Sequence, residues 1–148
     1  MSANYHDFTR TLIIAFRAND GRVAQGPFAG RQVLLLTTVG AKSGTIRTTP
    51  VVYTTDGANW VIVGSKGGAD THPAWYLNLL ANPHATIEVG GETVAILATP
   101  ATGAERRRLY DQHVSVHPGF AEYERKTTRE IPVLLLARTD QAGPKPVG

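Results

Sequence analysis

The 148-residue chain contains no cysteine. That absence removes disulfide staples, thiolate zinc sites and cysteine nucleophiles together, and it is compatible with a reducing, cytoplasmic setting. Long apolar runs are lacking as well. The longest, near Val33 to Val39, is interrupted by Thr37 and Thr38, and the N-terminus has no basic start leading into an apolar stretch and a cleavage site. Neither secretion nor a membrane span is therefore expected. A strong excess of one charge is missing too: the net charge is +3 and the isoelectric point near 9.4. Such a balance permits anionic partners without demanding nucleic acid. Two nucleotide signatures are absent, because neither GAKSG nor GSKGG completes G-x-x-x-x-G-K-[ST] and no G-x-G-x-x-G occurs. The G-x-S-x-G elbow fails at Val63, so Ser65 reads as a hydrogen-bond donor rather than a nucleophile.

What is present centres on Trp60 to Pro83, WVIVGSKGGADTHPAWYLNLLANP. Trp60 to Val63 is aromatic and β-branched, as strands are. Gly67 and Gly68 free the backbone for a tight turn, Pro73 suits a first helical position, and the helix ends at Asn82-Pro83. A turn of this kind aims backbone N–H groups, with the Lys66 ammonium beside them, at whatever lies over the helix start. An anion is favoured there.

Around this stretch the remaining elements follow from periodicity. Asn4 to Asn19 places Tyr5, Phe8, Leu12, Ile13 and Phe16 on one helical face, which packs across the domain or, alternatively, meets a membrane surface or covers the substrate. Asp20 to Gly30, with Pro27, is a connector. Val33 to Val39 is a buried strand, and Gly40 to Gly44 a turn. Thr45 to Gly57 is a strand at an edge or bend, since Pro50 cannot donate to a ladder. Asp56-Gly57 and Gly90-Gly91 mark hairpins, the second joining Ala85–Val89 to Thr93–Thr99. Thr102 and Glu105 have capping-box spacing before a helix from Gly103 to about Val116. A short helix follows from Phe120, then a strand from Ile131 to Ala137. Six strands joined mainly by hairpins imply an α+β, mainly β fold: a small antiparallel barrel with flanking helices. Three segments result: helix and connector at 1–30, barrel at 31–138, and a loose tail at 139–148.

Arg31, Lys42, Arg47 and Lys66 form a basic set, three of them in or beside glycine turns. They suit a phosphate or carboxylate, against the plainer reading of solvated surface charge. His113 and His117 have the i, i+4 spacing of metal ligands, but the third-ligand candidates are confined to Asp111 and Glu122, Pro118 breaks the helix nearby, and no metal is expected. His72, before Pro73, reads as a helix cap. Phe120 and Tyr123 share a face with His117 one turn earlier, and could wall a flat substrate or simply pack a core.

Three motifs, GAKSGTIRTTPVVY, VGSKGGADTHPAWYLNLLANP and HPGFAEYERKTTREIPVLLL, occur in an order and spacing that resemble the deazaflavin-dependent nitroreductase family, from about Phe8 to Arg138. The resemblance implies the split β-barrel of FMN-binding, pyridoxamine-phosphate-oxidase-like proteins and coenzyme F-420, a deazaflavin with a phosphate and an oligoglutamate tail. Its cofactor contacts fall on Ala41, Lys42, Ser43, Arg47, Thr48, Thr49, Pro50, Val51 and Val52. They continue at Val63, Gly64, Ser65, Lys66, Ala74, Trp75, Tyr76, Leu77 and Asn78. The substrate positions are His117, Phe120 and Tyr123, where the family typically has several tyrosines. Ser65 and Tyr123 become candidates for binding an acceptor oxygen, and His117 for donating a proton. The implied activity is hydride transfer from the reduced deazaflavin to a quinone or another electron-poor acceptor, a nitroaromatic or enone. Rivals are an FMN oxidoreductase on the same barrel and a carrier without turnover. A monomer or homodimer is expected in the cytoplasm, with membrane contact through the first helix as the variant.

Overall fold

The computed structural model describes residues 2–23 and 30–147, with side chains from Phe8 onward. Pro27 of the connector and the Tyr5 side chain lie outside the described residues. Six antiparallel strands close into one barrel in the order β1-β2-β3-β6-β5-β4. They are β1 (Val33–Val39), β2 (Ile46–Asp56), β3 (Asn59–Val63), β4 (His84–Val89), β5 (Glu92–Pro100) and β6 (Val133–Arg138). The helices are α1 (Ser2–Ala18), α2 (Ala74–Ala81), α3 (Gly103–Val116) and α4 (Phe120–Arg125). Closure is made by β1 and β4, through Leu35 opposite Glu88, Leu36 opposite Ile87 and Thr37 opposite Thr86.

The apolar run of β1 is continuous because both of its faces are covered. Leu34 and Leu36 join Val51, Trp60, Ile62, Ile87, Ile96, Leu134 and Leu136 inside the barrel. Val33 and Leu35 point the other way, into a second cluster with Leu12, Ile13 and Phe16 of α1 and Leu109 and Tyr110 of α3. Leu79 of α2 belongs to the inner cluster, so α2 plugs one end of the barrel. The packing face of α1 is thus part of the domain's core. Phe8 and Ile14 remain exposed.

β2 is the long strand, and its two halves have different neighbours. Val33 to Val39 of β1 pairs with Ile46 to Val52, whereas β3 pairs only with Tyr53 to Asp56. Beyond Tyr53 opposite Ile62, β3 ends at Val63 and the two strands part. This one-sided stretch holds Pro50, where the ladder makes fewer demands on N–H groups. The seam it leaves is the entrance to the cleft described below.

Three local expectations change. The tail is not loose: the Thr86 hydroxyl donates to Pro144 O at 2.7 Å, Val147 N to Thr48 Oγ1 at 3.2 Å, and Arg17 Nη2 to Val147 O at 2.8 Å. It is tied down by polar contacts that an apolar pattern does not reveal. Thr102 precedes α3 but makes no side-chain cap bond; the first helical residue, Gly103, has φ of 58° and turns the cap out of reach. His72 caps nothing either, for Pro73 is the N-cap of α2 and His72 is bonded to Arg129.

Phe16 is almost fully buried at 1% exposure. Phe16→Ala should cost about 3 to 5 kcal/mol of folding stability in urea without lipid present; a loss under about 1 kcal/mol would mean that α1 does not pack as the core describes.

Candidate active site

The parted strands open a cleft of about 500 Å³ lined by Thr49 to Val52 of β2, Val63 at the end of β3, the following turn, and the start of α2. Arg31, Phe120 and Tyr123 complete its walls. This volume is ordinary for a small-molecule or cofactor site. One side is apolar, from Val51, Val52, Val63 and Trp75.

The other side is backbone. Ser65 is right-handed (φ −74°, ψ −34°), and Lys66, Gly67 and Gly68 follow with φ of 48°, 64° and 85°. Successive N–H groups in a right-handed then left-handed pair form an anion-binding nest. Gly68 is required twice over: its φ is positive, and a Cβ there would sit 2.9 Å from Lys126 Cβ and 3.0 Å from Tyr123 O. Gly64 admits Pro132, whose Cγ would lie 2.8 Å from an added Cβ. The turn closes through Gly68 N to Ser65 O at 2.9 Å and Ala69 N to Lys66 O at 3.2 Å. Among the described residues, the N–H groups of Ser65, Lys66 and Gly67 find no protein acceptor, and all three residues line the cleft.

Behind the turn stands Arg129. Its guanidinium donates to Ala69 O at 2.8 Å, Gly64 O at 3.2 Å and Ser65 O at 2.8 Å, and to His72 Nδ1 at 3.0 Å. Burial first, then the Arg129 charge, lowers the His72 pKa, which suits an imidazole that must accept.

α4 carries the opposite wall and is braced on α3. The Tyr110 hydroxyl donates to Phe120 O at 2.7 Å, and Arg107 forks onto Glu124 at 2.8 and 3.1 Å. Phe120 and Tyr123 pack edge to face with centroids 5.0 Å apart.

The expected site residues divide. Thr49, Pro50, Val51, Val52, Val63, Ser65, Lys66, Ala74, Trp75, Phe120 and Tyr123 meet in the cleft, and Arg31 of the basic set joins them. Ala41, Lys42 and Ser43 stand apart because Ala41 N is held by Asn78 Oδ1 at 2.9 Å, one helical turn beyond Ala74. The Ser43 hydroxyl accepts from Thr45 N within its own turn. Asn78 is buried and spends its amide on Ala41 and on Thr38 Oγ1. Thr48 bonds Thr37, Arg47 lies opposite Thr38, Tyr76 stacks near His72, and Leu77 faces solvent. Gly64 supports the turn from behind. His117 is buried at 4% exposure, with Nε2 3.0 Å from Tyr53 O. A carbonyl only accepts, so that ring proton points into the protein, and His117 is not placed to donate to a ligand. Arg129 stands within the third motif, but its role is not legible there, because it lies some sixty residues from the turn that it holds.

His113 and His117 pack with their rings tilted and centroids 5.0 Å apart, one bonded to Thr54 and the other to Tyr53. No group of three metal-ligating side chains assembles among the described residues.

The closed barrel thus carries a backbone anion nest at the mouth of an apolar slot. The family model for F420H(2)-dependent quinone reductase matches residues 8–138, and the chain belongs to that family. It is 37% identical over 127 residues to an F420H(2)-dependent quinone reductase of Mycobacterium tuberculosis H37Rv, covering 83% of this chain and 85% of that protein. A solved F420-H2 dependent reductase is 37% identical, with a TM-score of 0.66 over 72% of this chain and 94% of that one. A structure described as a domain-swapped dimer is 31% identical, with a TM-score of 0.67 over 92% and 99%. In fold alone, the chain also resembles a Listeria innocua structure described as of pyridoxamine 5'-phosphate oxidase type, 13% identical with a TM-score of 0.52 over 74% and 85%.

Burial, followed by the neighbouring His117, takes His113 from 6.5 down to about 3, and burial lowers His117 as well. Both are neutral in the folded protein at pH 7, while the unfolded chain protonates them near 6.5. Stability is therefore full above about pH 6.5 and is lost as pH falls below it, for His113 down toward about 3 at up to roughly 1.4 kcal/mol per pH unit, and for His117 in the same direction. Urea unfolding at pH 7.5 and 5 should show this loss, and His113→Leu should shrink it; equal pH dependence in both proteins would contradict the burial argument.

Proposed function

We propose that this chain is an F-420-dependent quinone reductase whose cofactor seats its tricyclic head in the cleft between β2 and the start of α2. The observation that carries the reading is the trio of Ser65, Lys66 and Gly67 amides without protein acceptors, beside a slot of Val51, Val52, Val63 and Trp75. These residues fit a molecule that is flat at one end and anionic at the other. When bound, the reduced deazaflavin supplies a hydride to the acceptor.

The chain's own part is placement. The amides and the Lys66 ammonium hold acidic oxygens of the cofactor, with Arg31 across the cleft as a second cation. The Ser65 hydroxyl, free of partners among the described residues, meets polar atoms of the ring or the acceptor. Phe120 and Tyr123 cover the acceptor face and exclude water, bringing the two flat molecules into stacking distance. Tyr123 donates to the acceptor oxygen as negative charge develops there. His117 acts from behind as part of the wall. FMN, flat with a terminal phosphate, would meet the same amides and slot; the family match is what favours F-420 over it, and over a carrier on this barrel.

The assembly proposed is a homodimer, on the likeness to the domain-swapped dimer. No described helix is long and apolar enough to cross a membrane. Peripheral lipid contact, where it occurs, falls to the exposed Phe8 and Ile14 of α1.

Steady-state reduction of a soluble quinone tests these assignments. Lys66→Ala should raise the KM for reduced F-420 about tenfold, the worth of one charge-assisted hydrogen bond. Tyr123→Phe should instead lower kcat by roughly tenfold with the cofactor KM little changed. If reduced FMN supported turnover and reduced F-420 did not, the cofactor assignment would be wrong.

A further inference from the structure

The trans peptide is planar, so its C=O and N–H point in opposite directions. Gly64 O and Ser65 O both accept from Arg129. The N–H groups sharing those two planes, those of Ser65 and Lys66, are therefore turned away from Arg129 and toward the cleft that both residues line. Lys66 is one of two described non-glycine residues with positive φ, a strained conformation that must be imposed from outside. Arg129 supplies that constraint with a rigid fork that lysine lacks.

The fork has a fourth partner. Arginine can only donate, so His72 Nδ1 at 3.0 Å must accept, and it can do so only when the imidazole is neutral. The groups facing His72 are Arg129 and, from α2, Tyr76 with its ring centroid 4.8 Å away. On its own segment stand Asp70 and Thr71, the latter receiving the Lys66 ammonium at 3.1 Å. Arg125 and Lys126 line a neighbouring hollow with Asp70 and Arg129. Cations outnumber carboxylates here, so the surrounding as a whole disfavours a second positive charge on His72, with Asp70 alone acting the other way.

We propose that Arg129 is a positioning residue for cofactor binding, holding the 64–69 turn so that its amides face the ligand, and that the hold is released when His72 takes up a proton. This rests on the F-420 reading of the cleft. As pH falls through the histidine's range, Arg129 loses an acceptor and gains a repelling neighbour, the turn relaxes, and the amides lose their common direction. His72's pKa is lowered, so the release lies below pH 6.5.

Fluorescence titration of the full-length protein with coenzyme F-420 at pH 7.5 and pH 5.5 tests both halves. Arg129→Lys keeps the charge without the fork and should weaken binding at least tenfold at pH 7.5. His72→Asn places an amide oxygen near the Nδ1 position and cannot titrate. The affinity ratio between the two pH values should then be several-fold larger for the wild type than for this variant, which subtracts the cofactor's own ionisation. Wild-type binding with Arg129→Lys within twofold of it, or identical pH ratios for wild type and His72→Asn, would overturn the proposal while leaving the cofactor reading intact. Should Arg129→Lys fail to fold by circular dichroism, the His72→Asn comparison decides alone. Absence of F-420 binding by the wild type would overturn the cofactor reading, and the proposal with it.

Discussion

A peptide plane cannot present its carbonyl and its amide on the same side. Once the carbonyls after β3 are claimed from one direction, the amides must serve the other. The site depends on this constraint more than on any single side chain. Segment 129–132 claims the rear of the turn, with Arg129 on Gly64 O, Ser65 O and Ala69 O and with Pro132 O accepting Gly64 N at 2.8 Å. The front is left for a ligand. Glycine at 64 is the steric condition for the approach of Pro132, and glycine at 68 for that of Tyr123 and Lys126.

The barrel supplies the opening in front of that turn. A sheet closed on itself has every strand paired on both sides, and a cleft between strands requires one of them to outrun its neighbour. β2 does so, keeping β1 along Ile46 to Val52 while β3 joins only from Tyr53. α2 then fills the barrel end with Leu79 and offers Ala74 and Trp75 to the seam. From the far side, Tyr110 and Arg107 of α3 fix the short α4, so Phe120 and Tyr123 stand opposite the turn. Packing on three sides thus gives a rigid slot, as precise placement of two flat reactants demands.

Much of this was legible in the residues. The glycine hairpins and β-branched runs mark all six strands, because those signals are local and act within a few residues. The turn at Ser65 to Gly68 announces its anion-seeking character for the same reason. What failed to show was long-range and polar. The leucines of β1 reveal burial but not that β4 is its partner. The tail looks idle because its anchors at Thr86, Thr48 and Arg17 are hydrogen bonds to backbone, which leave no periodic trace. Lys42 and Arg47 were expected beside Lys66, yet Asn78 draws the Lys42 turn to a later part of α2. His117 has the right spacing from Phe120 for a substrate role, and its own burial turns it inward.

The account stands on amides of the turn meeting the cofactor, and amide chemical shifts report this directly. Titrating the ¹⁵N-labelled protein with coenzyme F-420 should move the Ser65, Lys66 and Gly67 cross-peaks most, with smaller changes at Phe120 and Tyr123. If those three stayed in place while the Gly40 to Gly44 turn shifted instead, the cofactor would be held elsewhere and the assignment of the cleft would be contradicted.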